Sequence, residues 1–199
     1  MSGIPEHGAT TDRFGRAIAA IDAANADDPN TIVVHGEQRP KELAHAELVS
    51  AWVVALRPDA SEALRLAARA HHLRRWTVPR TSYAAGRAGY LRWRRDLHEQ
   101  HAREVGEILT AVGYDDATIA RVQDLVRKRG LGKDPEVQTL EDALCLVFLE
   151  TQFHDLAARL DRDKLDGVVD KTLKKMSPDA IARVAHLDLS AEDRARLTR

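Results

Sequence analysis

Apolar residues recur at intervals of three and four along most of the chain, which is the spacing of one face of an α-helix. One such stripe consists of Glu42, His45, Val49, Trp52 and Leu56. A second stripe consists of Tyr90, Trp93, Leu97, His101, Val105 and Ile108. The segment 136–160 is apolar on more than one side, which is typical of a helix in the middle of a bundle. The pattern therefore predicts an all-α fold.

Prolines, glycines and capping residues divide the pattern into separate helices. A first helix is predicted to follow a cap at Thr11 or Asp12 and to end near Asp27. The next five helices are predicted at about 40–56, 61–72, 89–112, 116–129 and 136–160. Residues 31–34 form the one short segment with extended character. Beyond 160, short amphipathic pieces are separated by breaks at Ser177-Pro178 and Leu189-Ser190.

Length and composition favour one packed domain, because 199 residues with 44% hydrophobic content are enough for a single core. We predict a flexible N-terminus over 1–10, a helical core over 11–160 and short C-terminal helices over 161–199 that pack on this core. Cys145 is the only cysteine, so no intrachain disulfide can form, and its apolar neighbours favour a buried, inert thiol. No apolar run approaches the ~20 residues needed to cross a bilayer. We therefore expect a cytoplasmic protein that does not associate with membranes.

Positive charge is concentrated in one segment of a nearly neutral chain. Ten arginines between Arg65 and Arg103 face only two acidic residues, a net charge of +8 in a chain whose total is −1. A planar guanidinium matches phosphate or carboxylate, so the segment predicts a site for a small anion. Arg75 and Arg80 flank a turn fixed by Pro79 and are the candidates to hold it. A basic face neutralised by acids elsewhere in the fold is the alternative, and a pI of 6.8 argues against a nucleic-acid surface.

Histidines and acids supply a second kind of candidate chemistry. Five histidines lie on the predicted helices near the basic segment: His45, His71, His72, His98 and His101. Glu141 and Asp142 lie on the apolar sixth helix, where buried carboxylates need a cation or hydrogen-bond donors. Imidazole and carboxylate are ligands of divalent transition metals such as Mn, Fe, Ni and Zn. Each imidazole can also be a hydrogen-bonded core residue, and each acid can pair with an arginine.

The order of these residues resembles the HD superfamily of helical metal-dependent phosphohydrolases. The resemblance is carried by KELAHAELVSAW, LRLAARAHHL and VQTLEDALCL, within about 41–149. It implies an HD-like helical bundle in which His45, His71 and Asp142 occupy ligand positions of the family. His72 stands where that family has Asp. A histidine can bind a transition metal but cannot bridge two ions as a carboxylate can.

The chain also resembles an uncharacterised family known as domain of unknown function 4202. The shared motifs are HLRRWTVPR (72–80), AGYLRWR (88–94), LEDALCLVFLE (140–150) and KKM (174–176). In that family His72 is the characteristic histidine, and Gln is common where His71 stands. This resemblance implies a common fold and site but no reaction.

Taken with these resemblances, the residues favour a metal-dependent hydrolase of a small phosphorylated or nucleotide-like substrate. His45, His72 and Asp142 would hold a divalent transition metal, with His71 and His101 as further site residues. Arg75 and Arg80 would hold phosphate oxygens. The alternatives are a degenerate HD-like module that binds an anionic ligand or acidic partner without catalysis, and an iron-dependent relative that activates oxygen.

Overall fold

The computed structural model describes residues 7–34 and 36–197, and within this part of the chain nearly all regular structure is helical. Ten α-helices and one hairpin follow in the order α1 (His7–Ala26), β1 (Thr31–Val34), β2 (Glu37–Pro40), α2 (Lys41–Leu56), α3 (Glu62–Ala70), α4 (Gly86–Ala111), α5 (Asp116–Val126), α6 (Pro135–Thr151), α7 (Phe153–Arg159), α8 (Arg162–Leu173), α9 (Pro178–Val184) and α10 (Ala191–Leu197) in this described part. Short 3-10 turns at Arg75–Thr77 and Arg80–Ser82 connect α3 to α4. The all-α fold class predicted from the sequence is confirmed.

Several boundaries differ from the sequence-based prediction. α1 begins at His7, ahead of the caps predicted at Thr11 or Asp12. The N-terminus was predicted to be flexible over 1–10, and residues 1–6 of it lie outside the described residues. The single helix predicted over 136–160 is interrupted at Gln152, whose φ of −129° ends α6 and redirects the chain into α7. The extended character predicted for 31–34 is confirmed, and this segment pairs with β2 in antiparallel register from Thr31 opposite Pro40 to Val34 opposite Glu37.

Contacts within the chain group it into two compact units. The first contains the residues up to Glu47 and Ser61–Arg129, and the second contains Leu48–Ala60 and Gly130–Arg199. α6 and α7 therefore group with the C-terminal helices in the second unit, and α3, α4 and α5 belong to the first.

In the first unit, α3 and α4 both pack against α5, and α1 packs against both of them. The fully buried side chains at these contacts are aliphatic, and they include Leu64, Leu66, Leu97, Leu109 and Leu125. Polar contacts fix the helix ends. Ser61 Oγ accepts a hydrogen bond from Leu64 N at 3.1 Å at the start of α3, and Asp115 does the same for Thr118 N at 2.9 Å at the start of α5.

In the second unit, a core of buried apolar side chains is supplied by α6 to α10. Its largest members include Leu146, Leu149 and Phe153, with Trp52 of α2 packed against it. The indole Nε1 of Trp52 donates to Glu150 Oε2 at 2.9 Å and links α2 to α6. Ser190 directly precedes α10, and its Oγ accepts from Asp193 N at 3.0 Å and donates to the Asp193 carboxylate at 2.8 Å. No described helix has the length and apolar character of a membrane span.

The connection from α3 to α4 is held by Arg80 and by a close backbone approach. The Arg80 guanidinium donates to the carbonyl oxygens of Tyr83 at 3.0 Å and Ala84 at 2.9 Å. The Ala84 carbonyl then lies against Gly89 on the first turns of α4, where a Cβ would overlap it. Only glycine allows this approach, which sets where α4 starts.

We predict that Gly89→Ala lowers the free energy of unfolding by about 1–3 kcal/mol, because the added methyl group must displace backbone rather than a flexible side chain. Gly167→Ala in α8 is the matched control, since its added Cβ would meet nothing within 4 Å. That substitution should raise the free energy of unfolding by about 0.5–1 kcal/mol. Urea unfolding followed by circular dichroism measures both changes, and equal effects would contradict the close approach.

Candidate metal centre

The start of α2 and the chain after α3 supply the principal side chains of a polar cluster in the first unit. Glu42 and His45 are one turn apart on α2 and share a face. Asp28 fixes the start of this helix, because its Oδ2 accepts a hydrogen bond from Glu42 N at 3.0 Å. His71 is the C-cap residue of α3, and His72 follows it directly. These two short segments thus bring a carboxylate and several imidazoles together.

Glu42, His45 and His72 form a group whose candidate ligand atoms all lie within 4.8 Å of one another. His72 Nδ1 is 3.1 Å from Glu42 Oε2, and the ring centroids of His45 and His72 are 4.4 Å apart. Metal–nitrogen bonds of about 2.0–2.1 Å allow ligand atoms on opposite sides of an ion to be about 4.2 Å apart. Side-chain adjustments of less than about an ångström would therefore bring these atoms to bonding distance of a single ion.

Two further imidazoles extend the cluster. His71 stacks on His72 with centroids 4.6 Å apart, and the ring of His101 on α4 is 6.0 Å from that of His72. His101 Nδ1 donates to the Leu73 carbonyl at 2.8 Å, which fixes the tautomer and leaves a lone pair on Nε2. Backbone orientation of one ring nitrogen in this way is typical of histidines that bind metal through the other.

Two nitrogen atoms in this cluster are buried without a hydrogen-bond partner, namely His71 Nδ1 and His101 Nε2. The residues are only 3% and 1% exposed, so bulk solvent does not reach these atoms. Leaving a polar atom in this state costs about 1–3 kcal/mol. A bound cation, or a ligand that it carries, would satisfy a nitrogen lone pair. The donor set therefore fits a divalent transition metal.

Burial keeps the imidazoles in the neutral form that metal binding requires. It lowers the pKa of His45 to about 3, with Arg75 contributing in the same direction, and it lowers the pKa of His101 to about 3. Burial also lowers the pKa of His71 and His72 well below the ordinary value. The pKa of Glu42 moves the other way and rises to about 7, because burial disfavours its charge more than Arg75 favours it.

Arg75 lies between this cluster and an aromatic face of α4. Its Nε is 3.9 Å from Glu42 Oε1, and its guanidinium carbon is 4.8 Å from the centre of the Trp93 ring. Burial lowers the pKa of Arg75, and Glu42 partly offsets that shift. Among the described residues no other carboxylate pairs with this guanidinium. Its terminal nitrogens are therefore available to an anion next to the candidate ligands.

Arg80, predicted to act with Arg75, is engaged elsewhere. Its terminal nitrogens donate to the carbonyl oxygens of Tyr83, Ala84 and Gly86, which fixes the loop before α4. These bonds engage both terminal nitrogens of Arg80 with backbone carbonyl oxygens.

Asp142, predicted as the third metal ligand, belongs to the second unit and has hydrogen-bond donors there. Its carboxylate accepts from Ser177 N at 2.9 Å, from Ser177 Oγ at 2.6 Å and from Gln138 Nε2 at 2.9 Å. Its neighbour Glu141 pairs with Lys175 Nζ at 3.5 Å. The buried acids of α6 thus hold the start of α9, and the carboxylate that accompanies His45 and His72 is Glu42.

Of the residues predicted from the sequence, the structure brings His45, His71, His72, His101 and Arg75 together. Glu42 was not named as a ligand, although its position three residues before His45 on the same stripe was the available signal. His98 also approaches the group, with its ring 6.4 Å from that of His71.

Comparison with known proteins identifies a family but no characterised relative. No curated protein and no solved structure matches the chain. The resemblance to the HD superfamily therefore stays a prediction. The model of one family, described as a domain of unknown function (DUF4202), matches residues 15–196. This match covers most of the 199 residues, and the protein belongs to the DUF4202 family.

Proposed function

We propose that this protein binds a divalent transition metal through Glu42, His45 and His72 and hydrolyses a small phosphorylated substrate there. The observation that carries the proposal is the convergence of two neutral imidazoles and a carboxylate within 4.8 Å, beside imidazole nitrogens that lack a partner. A divalent ion in such a site supplies Lewis acidity and lowers the pKa of water bound to it.

The residues around the candidate ligands would supply a further donor and a phosphate-binding group. His101 is held by the Leu73 carbonyl at 2.8 Å and offers Nε2 as a further donor to the ion or to a ligand on it. Arg75, whose Nε is 3.9 Å from Glu42 Oε1, can hold two phosphate oxygens in a fork. Trp93, whose Nε1 donates to Val78 O at 2.9 Å, packs its ring face against the Arg75 guanidinium. Stabilising charge on a transferring phosphoryl group is the established use of such a clamp.

A second candidate function is favoured by the ligand types themselves. Two histidines and one carboxylate are also the set that non-haem iron(II) oxygenases use. Iron as the bound metal, together with oxygen consumption rather than phosphate release, would favour this alternative. The third alternative, an anion-binding module without catalysis, is distinguished by an absence of stoichiometric metal.

Metal content is the first test. Protein purified without chelator should contain close to one equivalent of a divalent transition metal, and His45→Ala or His72→Ala should reduce this at least about tenfold. The control is His154→Ala in the second unit, whose side chain is 78% exposed. Plasma mass spectrometry and titration with Zn²⁺ or Mn²⁺ measure the content and the affinity. Metal-free wild-type protein that takes up no ion would reject the proposal.

Arg75→Ala should lower the hydrolysis of a phosphate monoester such as p-nitrophenyl phosphate at least about tenfold while leaving the metal content unchanged, because one charge-stabilising donor is lost. Arg87→Ala is the control, since Arg87 is an exposed residue at the start of α4. Phosphate release by the metal-loaded variants measures the effect. Equal activity of the two variants would remove Arg75 from the site.

Glu42→Gln should have opposite effects with and without metal. Folding raises the pKa of Glu42 to about 7, so its contribution to stability is present at low pH and is lost as the pH rises through 7. In chelator, the change in the free energy of unfolding caused by the substitution should therefore be more favourable at pH 8 than at pH 5, by about 2 kcal/mol. In saturating metal the same substitution should destabilise it, because a charged ligand is lost. Urea unfolding under the four conditions shows whether the sign reverses, and stabilisation in both metal states would contradict ligation by Glu42.

A further inference from the structure

An exposed aromatic ring continues the site outward along α4. The α4 face that carries buried His101 and Leu97 reaches Trp93 and then Tyr90, which is 43% exposed. The ring centroids of Tyr90 and Trp93 are 5.9 Å apart, and Trp93 lies under the Arg75 guanidinium. Glu42, Arg75, Trp93 and Tyr90 thus form a continuous series from the candidate ligands to the surface.

A second guanidinium accompanies this ring. Arg94, one turn after Tyr90 on α4, has its guanidinium carbon 6.0 Å from the centre of the Tyr90 ring. In the described part of the chain Arg94 pairs with no carboxylate. The surface next to the candidate metal centre therefore combines an accessible π-system with an uncompensated positive charge. Planar, electron-rich rings that carry a phosphate complement both properties.

We propose that the phosphorylated substrate is a nucleoside phosphate whose base stacks on Tyr90 beside Arg94, while its phosphate lies at Arg75 and the metal centre. This inference rests on the proposed function and adds the substrate class to it. Base–aromatic stacking is available to every base, since each base has a π-face. A sugar phosphate offers the same phosphate but no ring for Tyr90.

The test compares ligands that differ only in the base. Binding of AMP, CMP and ribose 5-phosphate to the metal-loaded full-length protein is measured by isothermal titration calorimetry. We expect both nucleotides to bind at least about tenfold more tightly than ribose 5-phosphate, and Tyr90→Ala to abolish this difference. Tyr90→Phe should retain the preference. Leu91→Ala, which alters an exposed neighbour of Tyr90 on α4, should leave all three affinities unchanged.

The outcomes separate this inference from the proposed function. Equal affinity of wild-type protein for AMP and ribose 5-phosphate overturns the substrate class but leaves a metal-dependent phosphohydrolase in place. An equal loss for both ligands in Tyr90→Ala also overturns it. If wild-type protein binds no metal, or if none of the three phosphates binds metal-loaded protein, the inference falls together with the function on which it rests.

Discussion

Buried imidazole nitrogens without hydrogen-bond partners are the constraint on which the candidate site depends. His71 Nδ1 and His101 Nε2 lack partners, and burial lowers the pKa of both side chains so that protonation at neutral pH does not relieve the deficit. Each such atom costs about 1–3 kcal/mol in the folded state. A core filled with leucine would avoid this cost. A cation bound by Glu42, His45 and His72, or a ligand carried by that cation, would offer nearby nitrogens a partner, so the arrangement makes physical sense as a binding site.

Backbone contacts, rather than the candidate ligands, hold the site in place. Asp28 fixes the first turn of α2 through Glu42 N, and the Leu73 carbonyl orients His101. Arg74 has a left-handed φ of 49°, and its N–H donates to Asn25 Oδ1 at 3.0 Å, which fixes the turn after His72. The path of the chain through the site is therefore set by contacts that do not involve the imidazole rings of His45 and His72. Substitution of His45 or His72 thus removes a ligand while leaving these supports intact.

The parts of the fold and site that follow from local periodicity were predictable from the sequence. The stripe on α2 placed His45 on a buried face, and the stripe on α4 did the same for His101, because both depend only on helical spacing. β2 has the sequence EQRP, which has no apolar alternation, and its pairing with β1 was therefore not visible. The break at Gln152 follows no proline or glycine, so the apolar pattern continued through it.

Residues whose partners are distant in sequence were not predictable in the same way. A buried acid on an apolar helix needs donors, and the sequence could not show that Ser177, 35 positions away, supplies them to Asp142. The role of Arg80 depends on the path of the loop, because its partners are carbonyl oxygens that any sequence would present. The concentration of histidine and arginine residues indicated which part of the sequence contains the candidate site, but only the fold determines which of these residues lie together.

Charge balance connects the metal centre to the choice of ligand. The imidazoles are neutral, and burial raises the pKa of Glu42 to about 7, so in the absence of an ion the charges of Glu42 and Arg75 sum to between 0 and +1 near neutral pH. A divalent cation would favour the ionised form of Glu42, and the ion, Glu42 and Arg75 together would then carry a net charge of about +2, which complements a phosphate dianion in a poorly solvated site. A carboxylate in place of His72 would reduce this charge by one. The histidine at this position therefore suits a single ion and a doubly charged ligand, and under the proposed function a bound metal would strengthen anion binding at the site.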